Sequence, residues 1–272
     1  MTSGVRAHPG MRQREGIKGL FVTERRQWLI ARARETGRIE VAEVASTLGV
    51  AVETIRRDLN ELEDIGFVRR VHGGAIPVDR AGYESGLTDR ASAQRAEKLR
   101  IATQLAKEVE GAEAVFLDEG STCHAFATNW QPVSPVTVLT AALPNAAALA
   151  SLPEVTVIML GGRLKRSTAA AADDWAPRML AEYVLDIAIV GANGVTTGNG
   201  LTVPDRATAA VKSAALASAR RRILACDHSK FGVDSFIKFA PVTGLDLIIT
   251  DKGVDDETAS VYSQLGVCIE RV

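Results

Sequence analysis

Two arginines and one asparagine within residues 53–64 have the chemistry and the spacing to contact DNA bases. At about 100° per residue, Arg56, Arg57 and Asn60 fall on one side of a helix. The apolar positions on the other side are Ile55, Leu59 and Leu62. In the major groove, an arginine can donate two hydrogen bonds to guanine, and an asparagine can pair with adenine. The pattern therefore predicts a helix that packs through one face and reads DNA through the other.

The flanking residues predict a complete helix-turn-helix followed by a basic wing. Residues 39–50 supply a short amphipathic helix, and Gly49 permits a sharp turn before the second helix. Residues 67–71 alternate as in a strand, and Gly73 and Gly74 can turn the chain into a hairpin. The expected contacts to DNA phosphates are Thr54, Arg69, Arg70 and His72. The helix alone could be an ordinary solvated helix, but this order of elements favours DNA binding.

These residues resemble the winged helix-turn-helix of the DeoR family of bacterial transcription regulators. The matching positions are Thr54-Ile55-Arg56-Arg57-Asp58-Leu59, Leu62, Gly66, Arg70 and His72-Gly73-Gly74-Ala75. One departure is Ala51, at a position where the family commonly has a serine that caps the recognition helix. Loss of such a hydroxyl costs about 0.5–2 kcal/mol of helix stability. We therefore expect a slightly looser helix start and an unchanged function.

Length and composition predict two domains and an assembly of several subunits. With 272 residues, of which 46% are hydrophobic and 24% charged, the chain can form one small and one larger core. The net charge is −1, but residues 1–80 hold 14 Lys and Arg against 11 Asp and Glu. This surplus is modest, so one copy would bind DNA phosphates weakly. A homo-oligomer, a dimer or a tetramer, is expected to bind the operator.

The cysteines and the N-terminal residues exclude several classes of protein. Cys123, Cys226 and Cys268 form no Cys-x-x-Cys pair and have no histidine at metal-ligand spacing. We therefore expect reduced, buried thiols, and we expect neither a metal site nor a cofactor. The first thirty residues contain several arginines and no long apolar run, which predicts neither a secretory signal nor a membrane span. The sequence thus predicts a cytoplasmic protein.

The chain is predicted to divide into four segments. Residues 1–22 are expected to form a mobile tail, residues 23–78 the winged helix-turn-helix, residues 79–92 a linker and residues 93–272 a larger domain. In the larger domain, helical stretches alternate with seven short apolar runs at residues 114–117, 136–139, 155–160, 187–190, 222–225, 247–249 and 267–269. Such alternation predicts an α/β fold with a mainly parallel sheet covered on both faces. Ligands of such sheets bind at the carboxyl ends of the strands.

A candidate phosphate cradle follows the first of these strands. Asp118-Glu119-Gly120-Ser121-Thr122 leads there into a helical segment. Gly120 lets backbone N–H groups turn inward, and Ser121 and Thr122 offer hydroxyls beside the positive end of the helix. These residues alone favour an ordinary capped helix start. The position directly after a buried strand makes a cradle and a capped start equally compatible with the sequence.

Other strand ends supply residues that could complete a sugar-phosphate site. These are Gly161, Gly162, Asn193, Gly194, Asp205, Lys212, Asp227, Ser229 and Lys230. Lys212 and Lys230 are the cations expected to bind a phosphate. Asp118, Asp205 and Asp227 would accept hydrogen bonds from sugar hydroxyls. Each residue alone is better explained by a capped turn or a surface salt bridge, and only the residues together indicate a site.

The larger domain resembles the effector domain of the same family. The resemblance begins at Asp89-Arg90, continues through Glu97-Lys98-Leu99-Arg100-Ile101-Ala102 and includes the strand-end residues in order. It implies a fold of the ribose-5-phosphate isomerase type that binds phosphorylated sugars, and it covers about residues 23–272. The family's usual Thr-Asn is Thr140-Ala141 here, and Cys123 stands where a threonine is common. These departures bear on which phosphorylated sugar binds, more than on the existence of the site.

Three functional hypotheses follow. In the first, the protein is not an enzyme but a repressor of a carbohydrate-metabolism operon, whose binding to double-stranded operator DNA is modulated by a phosphorylated sugar. In the second, it is a sugar-phosphate isomerase or hydrolase with an accessory DNA-binding module, because its carboxylates and lysines could move a proton beside a carbonyl. In the third, Cys123 senses oxidants, because it adjoins the proposed cradle at a helix N-terminus, where thiolates are stabilised.

Overall fold

The chain forms two compact units, Met1–Tyr83 and Glu84–Val272. The computed structural model describes residues 22–64, 67–77 and 87–272, and each unit has its own apolar core. The tail predicted over residues 1–22 lies outside the described residues except for Val22, the first residue of a helix. No helix in the described ranges is long and apolar enough to cross a membrane.

The first unit is a helix-turn-helix with a hairpin wing, as the sequence predicts. Its helices are α1 (Val22–Thr36), α2 (Val41–Leu48) and α3 (Val52–Asp64), and its strands are β1 (Ile39–Glu40), β2 (Val68–Val71) and β3 (Gly74–Pro77). Gly49 ends α2 in the left-handed conformation, with φ 66°, and its N–H donates to Ala45 O. β2 and β3 pair in antiparallel register around a two-residue turn at His72 and Gly73.

Strand β1 corrects the sequence analysis, which placed residues 39–50 in one helix. Ile39 and Glu40 instead pair with Ala75 and Gly74 of β3, so the β2–β3 wing belongs to a three-stranded sheet with β3 in the centre. A Cβ on Gly74 would lie 2.1 Å from the carbonyl oxygen of Ile39. Glycine is therefore required at this position by the close approach of β1.

The second unit contains seven helices and twelve strands within its described residues. The helices are α4 (Leu87–Ser92), α5 (Arg95–Glu108), α6 (Ser121–Asn129), α7 (Leu143–Leu149), α8 (Trp175–Leu180), α9 (Arg206–Ala217) and α10 (Asp256–Gln264). The strands are β4 (Ala114–Leu117), β5 (Val136–Thr140), β6 (Val155–Met159), β7 (Leu164–Lys165), β8 (Ala170–Ala171), β9 (Leu185–Val190), β10 (Gly194–Thr196), β11 (Gly200–Val203), β12 (Ala219–Ala225), β13 (Ile237–Ala240), β14 (Leu247–Thr250) and β15 (Cys268–Arg271). α4 occupies the end of the stretch predicted as a linker.

Seven of these strands form one parallel sheet in the order β15-β14-β12-β9-β4-β5-β6. Each corresponds to one of the seven apolar runs, so the predicted α/β fold is confirmed. Side chains alternate between the two faces of a strand. Accordingly, Val115 and Leu117 belong to the core under α5 and α6, whereas Phe116 belongs to the core under α8 and α9. Strands buried on both faces read as continuous apolar runs, which made them visible in the sequence.

The sheet order places β4 at the point where chain connections reverse direction. β5 and β6 extend the sheet on one side of β4, and β9, β12, β14 and β15 extend it on the other. A crevice for ligands opens at the carboxyl ends of the strands beside such a reversal. Here the reversal lies between β4 and β9, so the residues that follow these strands border the crevice.

Candidate DNA interface and candidate effector site

Helix α3 packs one face into the core of the first unit and exposes the other. Ile55, Leu59 and Leu62 are buried, and Arg56, Arg57 and Asn60 are exposed. Arg56 Nη1 lies 3.3 Å from the carboxylate of Glu53, an exposed pair. Arg57 makes no hydrogen bond or ion pair with the described part of the chain. The start of α3 carries no side-chain cap, since the N–H groups of Thr54 and Ile55 reach Ala51 O at 3.0 and 3.3 Å.

Arg70 joins the wing to α3, a role that the sequence did not indicate. From β2, its side chain donates to Asn60 Oδ1, to Arg56 O at 3.2 Å and to Gly74 O at 3.3 Å. Its backbone N–H donates to Glu63 Oε1 at 2.6 Å. The sequence analysis assigned Arg70 to phosphate, but these bonds position β2 and the Asn60 amide. Asn60 Oδ1 accepts this bond through one lone pair, so its second lone pair and the amide N–H groups remain for a base.

Asp58, on the buried side of α3, holds this helix against α1. Its carboxylate lies 2.5 Å from Arg25 Nε and 3.0 Å from Arg26 Nε, and its side chain is only 3% exposed. Arg26 also pairs with Glu61 at 2.6 Å. The sequence showed Asp58 only as part of a family motif. Its partners lie 33 and 32 residues away, so the pattern within α3 could not reveal them.

Arg57 and Arg69 are both exposed, but they are expected to contribute differently to operator binding. Arg57→Ala should weaken specific binding about ten- to hundredfold, as loss of a base contact does, with a small change in the salt dependence. Arg69→Ala, on the wing, should weaken binding to all sequences and reduce the slope of log K against log salt by about one. Titration of labelled duplexes at several salt concentrations measures both effects. Arg32→Ala on α1 is the control, and equal losses for all three variants would contradict the assignment.

In the second unit, the β4–α6 turn (residues 118–122) has the geometry of an anion cradle. Gly120 adopts φ 104° and ψ 164°, so α6 begins directly after it. Ser121 and Thr122 are more than nine-tenths buried, yet their hydroxyls make no hydrogen bond within the described residues. The first N–H groups of a helix have no acceptor inside it. Together, these groups offer donors and a positive helix end at the crevice.

A buried ion pair between Asp118 and Lys212 fixes the floor of this crevice. Lys212 Nζ donates to Asp118 Oδ2 and lies 3.2 Å from Gly191 O, and the Gly191 N–H donates to Asp118 Oδ2 at 2.7 Å. Burial alone would lower the pKa of Lys212, but the carboxylates of Asp118 and Glu119 outweigh burial and raise it. Lys212 is therefore charged and committed to Asp118. The phosphate contact predicted for Lys212 from the sequence is therefore replaced by this ion pair.

Asn145 and His124 support the cradle from a neighbouring helix start, and the sequence analysis missed both. Asn145 Nδ2 donates to Asp118 O at 2.8 Å, and Asn145 Oδ1 lies 2.9 Å from His124 Nδ1. Asn145 stands in the first turn of α7, which follows β5 at the same edge of the sheet. Its position directly after a strand end was the available signal.

The end of β12 carries the second group of predicted residues. Asp227 accepts from the Ser229 N–H at 3.1 Å and from the Ser229 hydroxyl, and Lys98 Nζ lies 3.8 Å from its carboxylate. The Lys230 side chain has no hydrogen-bond or ion-pair partner within the described residues. His228 contacts Asp251, at the end of β14, through Nδ1 at 2.7 Å. Of the two predicted phosphate cations, Lys230 is thus the uncommitted one.

Several other predicted site residues have structural roles. Asp205 accepts from the Thr208 N–H at 2.9 Å as the cap of α9 and pairs with Lys165. A Cβ on Gly162 would lie 2.4 Å from Asp173 Oδ1, and a Cβ on Gly194 would lie 2.2 Å from Val233 O. Close packing thus accounts for both glycines. Gly161 donates its N–H to Met179 S at 3.3 Å, and Asn193 donates its N–H to Thr202 O at 3.0 Å.

The cysteines differ from the sequence predictions in two respects. All three are free, and Cys123 and Cys226 are buried as expected, but Cys268 is exposed. The redox hypothesis assumed that the helix N-terminus stabilises a Cys123 thiolate. Burial instead raises the pKa of this thiol, and the nearby Asp118 raises it further. Cys123 therefore remains a protonated, poorly reactive thiol, and the premise of that hypothesis was wrong.

Comparison with protein families decides the class of the protein. Residues 25–81 match the DeoR-like helix-turn-helix domain, and residues 93–252 match the DeoR C terminal sensor domain. The chain belongs to the DeoR family. It is a DNA-binding transcriptional regulator, as predicted, and not an enzyme with an accessory DNA-binding module. The second unit is accordingly called the sensor unit below.

Curated DeoR-family relatives match nearly their whole length. The transcriptional regulator IolR of Bacillus subtilis is 30% identical over 81% of this chain and 88% of its own. GlpR of Haloferax volcanii is 30% identical over 92% of this chain and 98% of its own. The glycerol-3-phosphate regulon repressor of Escherichia coli is 28% identical over 84% of this chain and 90% of its own. A solved ribose 5-phosphate isomerase A from Methanocaldococcus jannaschii is 17% identical, covering 51% of this chain and 55% of its own, with a TM-score of 0.37.

Proposed function

We propose that this DeoR-family regulator represses a carbohydrate-metabolism operon in the cytoplasm, and that a phosphorylated sugar bound to the sensor unit modulates its binding to double-stranded operator DNA. The observation that carries the proposal is the β4–α6 turn. There, the hydroxyls of two largely buried residues, Ser121 and Thr122, have no partner within the described residues and meet a helix N-terminus at the reversal of strand order. A phosphate accepts hydrogen bonds from hydroxyls and from helix N–H groups alike.

The charges around the crevice give the proposed ligand an orientation. Lys98 and Lys230 lie near the Asp227 carboxylate at the end of β12, and Glu97 also acts on Lys98. Asp118 and Glu119 instead face the single ammonium of Lys212. A phosphate would bind on the side of the lysines, and sugar hydroxyls would donate to the carboxylates. In this proposal Gly120, Ser121, Thr122 and Lys230 bind the phosphate, while Lys212 positions Asp118.

A homo-oligomer fits the charge of the first unit. A modest basic surplus makes binding by one copy weak, and two or more linked copies raise the effective concentration of each helix-turn-helix at its half-site. The sensor ligand can change operator affinity only through different affinities for two states of this assembly. Mass photometry at the concentrations used for DNA binding should give a dimer or a tetramer.

The deciding experiment titrates the purified protein onto a labelled duplex from its own upstream region, at fixed salt. Phosphorylated hexoses, pentoses and glycerol 3-phosphate are added in turn, each with its unphosphorylated form as a control. We expect one phosphorylated compound to change operator affinity about 5- to 150-fold, the usual size of allosteric coupling. The same compounds should return unchanged after incubation with the protein. Tight operator binding that none of them alters would overturn the effector site.

Thr122→Val tests the cradle itself. The substitution keeps the branched shape but removes the hydroxyl, so affinity for the active compound should fall about ten- to hundredfold, as expected for a hydrogen bond to a charged group. Thr128→Val is the matched control. Thr128 lies in the last turn of the same helix and donates to His124 O at 2.9 Å. Isothermal titration of both variants measures the difference, and equal affinities would contradict the role of Thr122.

A further inference from the structure

Arg90, which the sequence analysis noted only as part of a family motif, lies over the start of α6. A Cβ on Gly120 would lie 3.9 Å from Arg90 Nη1, so the guanidinium stands at the mouth of the cradle. Arg90 is half-buried, and α4, which carries it, packs on α6. Its position is fixed by Lys98, whose Nζ donates to Arg90 O at 2.5 Å and also to Ala93 O.

The surroundings of Arg90 concentrate positive charge. The Arg90 guanidinium and the Lys230 ammonium both act on Lys98, whose Nζ lies 3.8 Å from the Asp227 carboxylate. Burial lowers the pKa of Lys98, and the charges of Lys230 and Arg90 lower it further, against the opposing effects of Asp227 and Glu97. The positive end of α6 adds to this repulsion. An anion bound among these groups would relieve it.

We propose that Arg90 is a direct ligand of the effector phosphate and that phosphate binding fixes α4 against α6. This inference rests on the proposed function. A guanidinium presents paired donors that match two phosphate oxygens, whereas Lys98 and Lys230 act as point charges. The phosphate is held between the N-terminus of α6, with Ser121 and Thr122, and the Arg90 side chain.

This contact gives the effector a route toward the DNA-binding unit along the chain. α4 is the first described element after β3. Without a ligand, α4 is a six-residue helix held to the sensor unit by the Lys98 bonds and by its packing on α6. A bound phosphate adds a charged bridge between α4 and α6. The stability of α4 then depends on occupancy of the sensor site.

The binding test compares the full-length protein with its Arg90→Gln and Arg90→Lys variants. The probes are inorganic phosphate, glycerol 3-phosphate and the compound of the sugar-phosphate panel that binds the unsubstituted protein best, each against chloride at equal ionic strength. Affinity should fall about ten- to hundredfold for Arg90→Gln, and by less for Arg90→Lys, which keeps the charge but loses the paired donors. Arg95→Gln is the matched control, because Arg95 is an exposed arginine at the start of α5 and should leave affinity unchanged.

Hydrogen exchange of the unsubstituted protein supplies a second readout that does not depend on how the variants fold. Peptides covering residues 87–92 should exchange more slowly when a probe is bound. Unchanged affinity of Arg90→Gln, or unchanged exchange of residues 87–92 with a bound probe, would overturn the role of Arg90 and leave the proposed effector site standing. Failure of the unsubstituted protein to bind any of these compounds would overturn the site and this inference together.

Discussion

Lys212→Met is expected to lower the free energy of unfolding of the sensor unit by about 3–5 kcal/mol, as when one partner of a buried ion pair is removed. Asp118 and Lys212 are almost completely buried, and their pairing joins α9 to the end of β4. The substitution leaves the Asp118 carboxylate inside the protein with only the Gly191 N–H and the helix end to stabilise it. Urea unfolding followed by Trp130, a largely buried tryptophan of this unit, measures the loss.

The double variant Asp118→Asn/Lys212→Met separates a broken pair from a general packing defect. Replacing both members of a buried pair is often close to neutral. Asparagine keeps an oxygen for the Gly191 N–H, and methionine keeps much of the lysine stem. The double variant should therefore recover most of the stability that each single variant loses. Additive losses would show that the charges do not act as a pair.

Asp58→Asn is expected to destabilise the DNA-binding unit by about 3–5 kcal/mol and to abolish operator binding at temperatures where the parent protein binds. Arg25 is 10% exposed, and the substitution removes the buried charge that its guanidinium contacts at 2.5 Å. The same substitution weakens the attachment of α3 to α1, so the exposed face that carries Arg57 is held less firmly. Thermal unfolding followed by Trp28, together with duplex titration, measures both effects.

Glu61→Gln is the matched control for Asp58→Asn. Glu61 also pairs with Arg26, at 2.6 Å, but its side chain is 47% exposed. An exposed pair contributes about 0–1 kcal/mol, so this variant should unfold nearly as the parent does. If the two variants lost equal stability, burial of Asp58 would not be what makes it important.

Local patterns predicted the elements that carry the two sites. Seven apolar runs became the seven parallel strands, because strands buried on both faces need apolar residues at every position. The face of α3 with Arg56, Arg57 and Asn60 was predicted correctly, because residues that share a helix face recur every three to four positions in the sequence. The antiparallel sheet β10-β11-β13 was not predicted, since its strands are only three or four residues long.

The partners of the charged side chains could not be predicted from local patterns. Lys212, on the helix after Asp205, was predicted to bind phosphate because it is a cation near the strand-end motifs, yet its partner Asp118 is 94 residues away. Arg70 was assigned to DNA, yet its side chain bonds to α3. A charged residue that binds a ligand and one that pairs with another residue of the protein can have the same local sequence pattern. Only the distances between elements distinguish the two.

The sequence by itself thus determined the class of this protein: a winged helix-turn-helix joined to a parallel α/β sensor unit with a phosphate-type turn after its first strand. These features depend on residue periodicity and on short motifs, which act over a few neighbouring positions. The tertiary structure alone decided which charges remain available for a ligand. Folding neutralises Lys212 with Asp118 and Asp58 with two arginines, while it leaves Lys230 without a described partner and brings Arg90 to the cradle. Those pairings depend on the strand order and the helix packing, which join residues far apart in the chain.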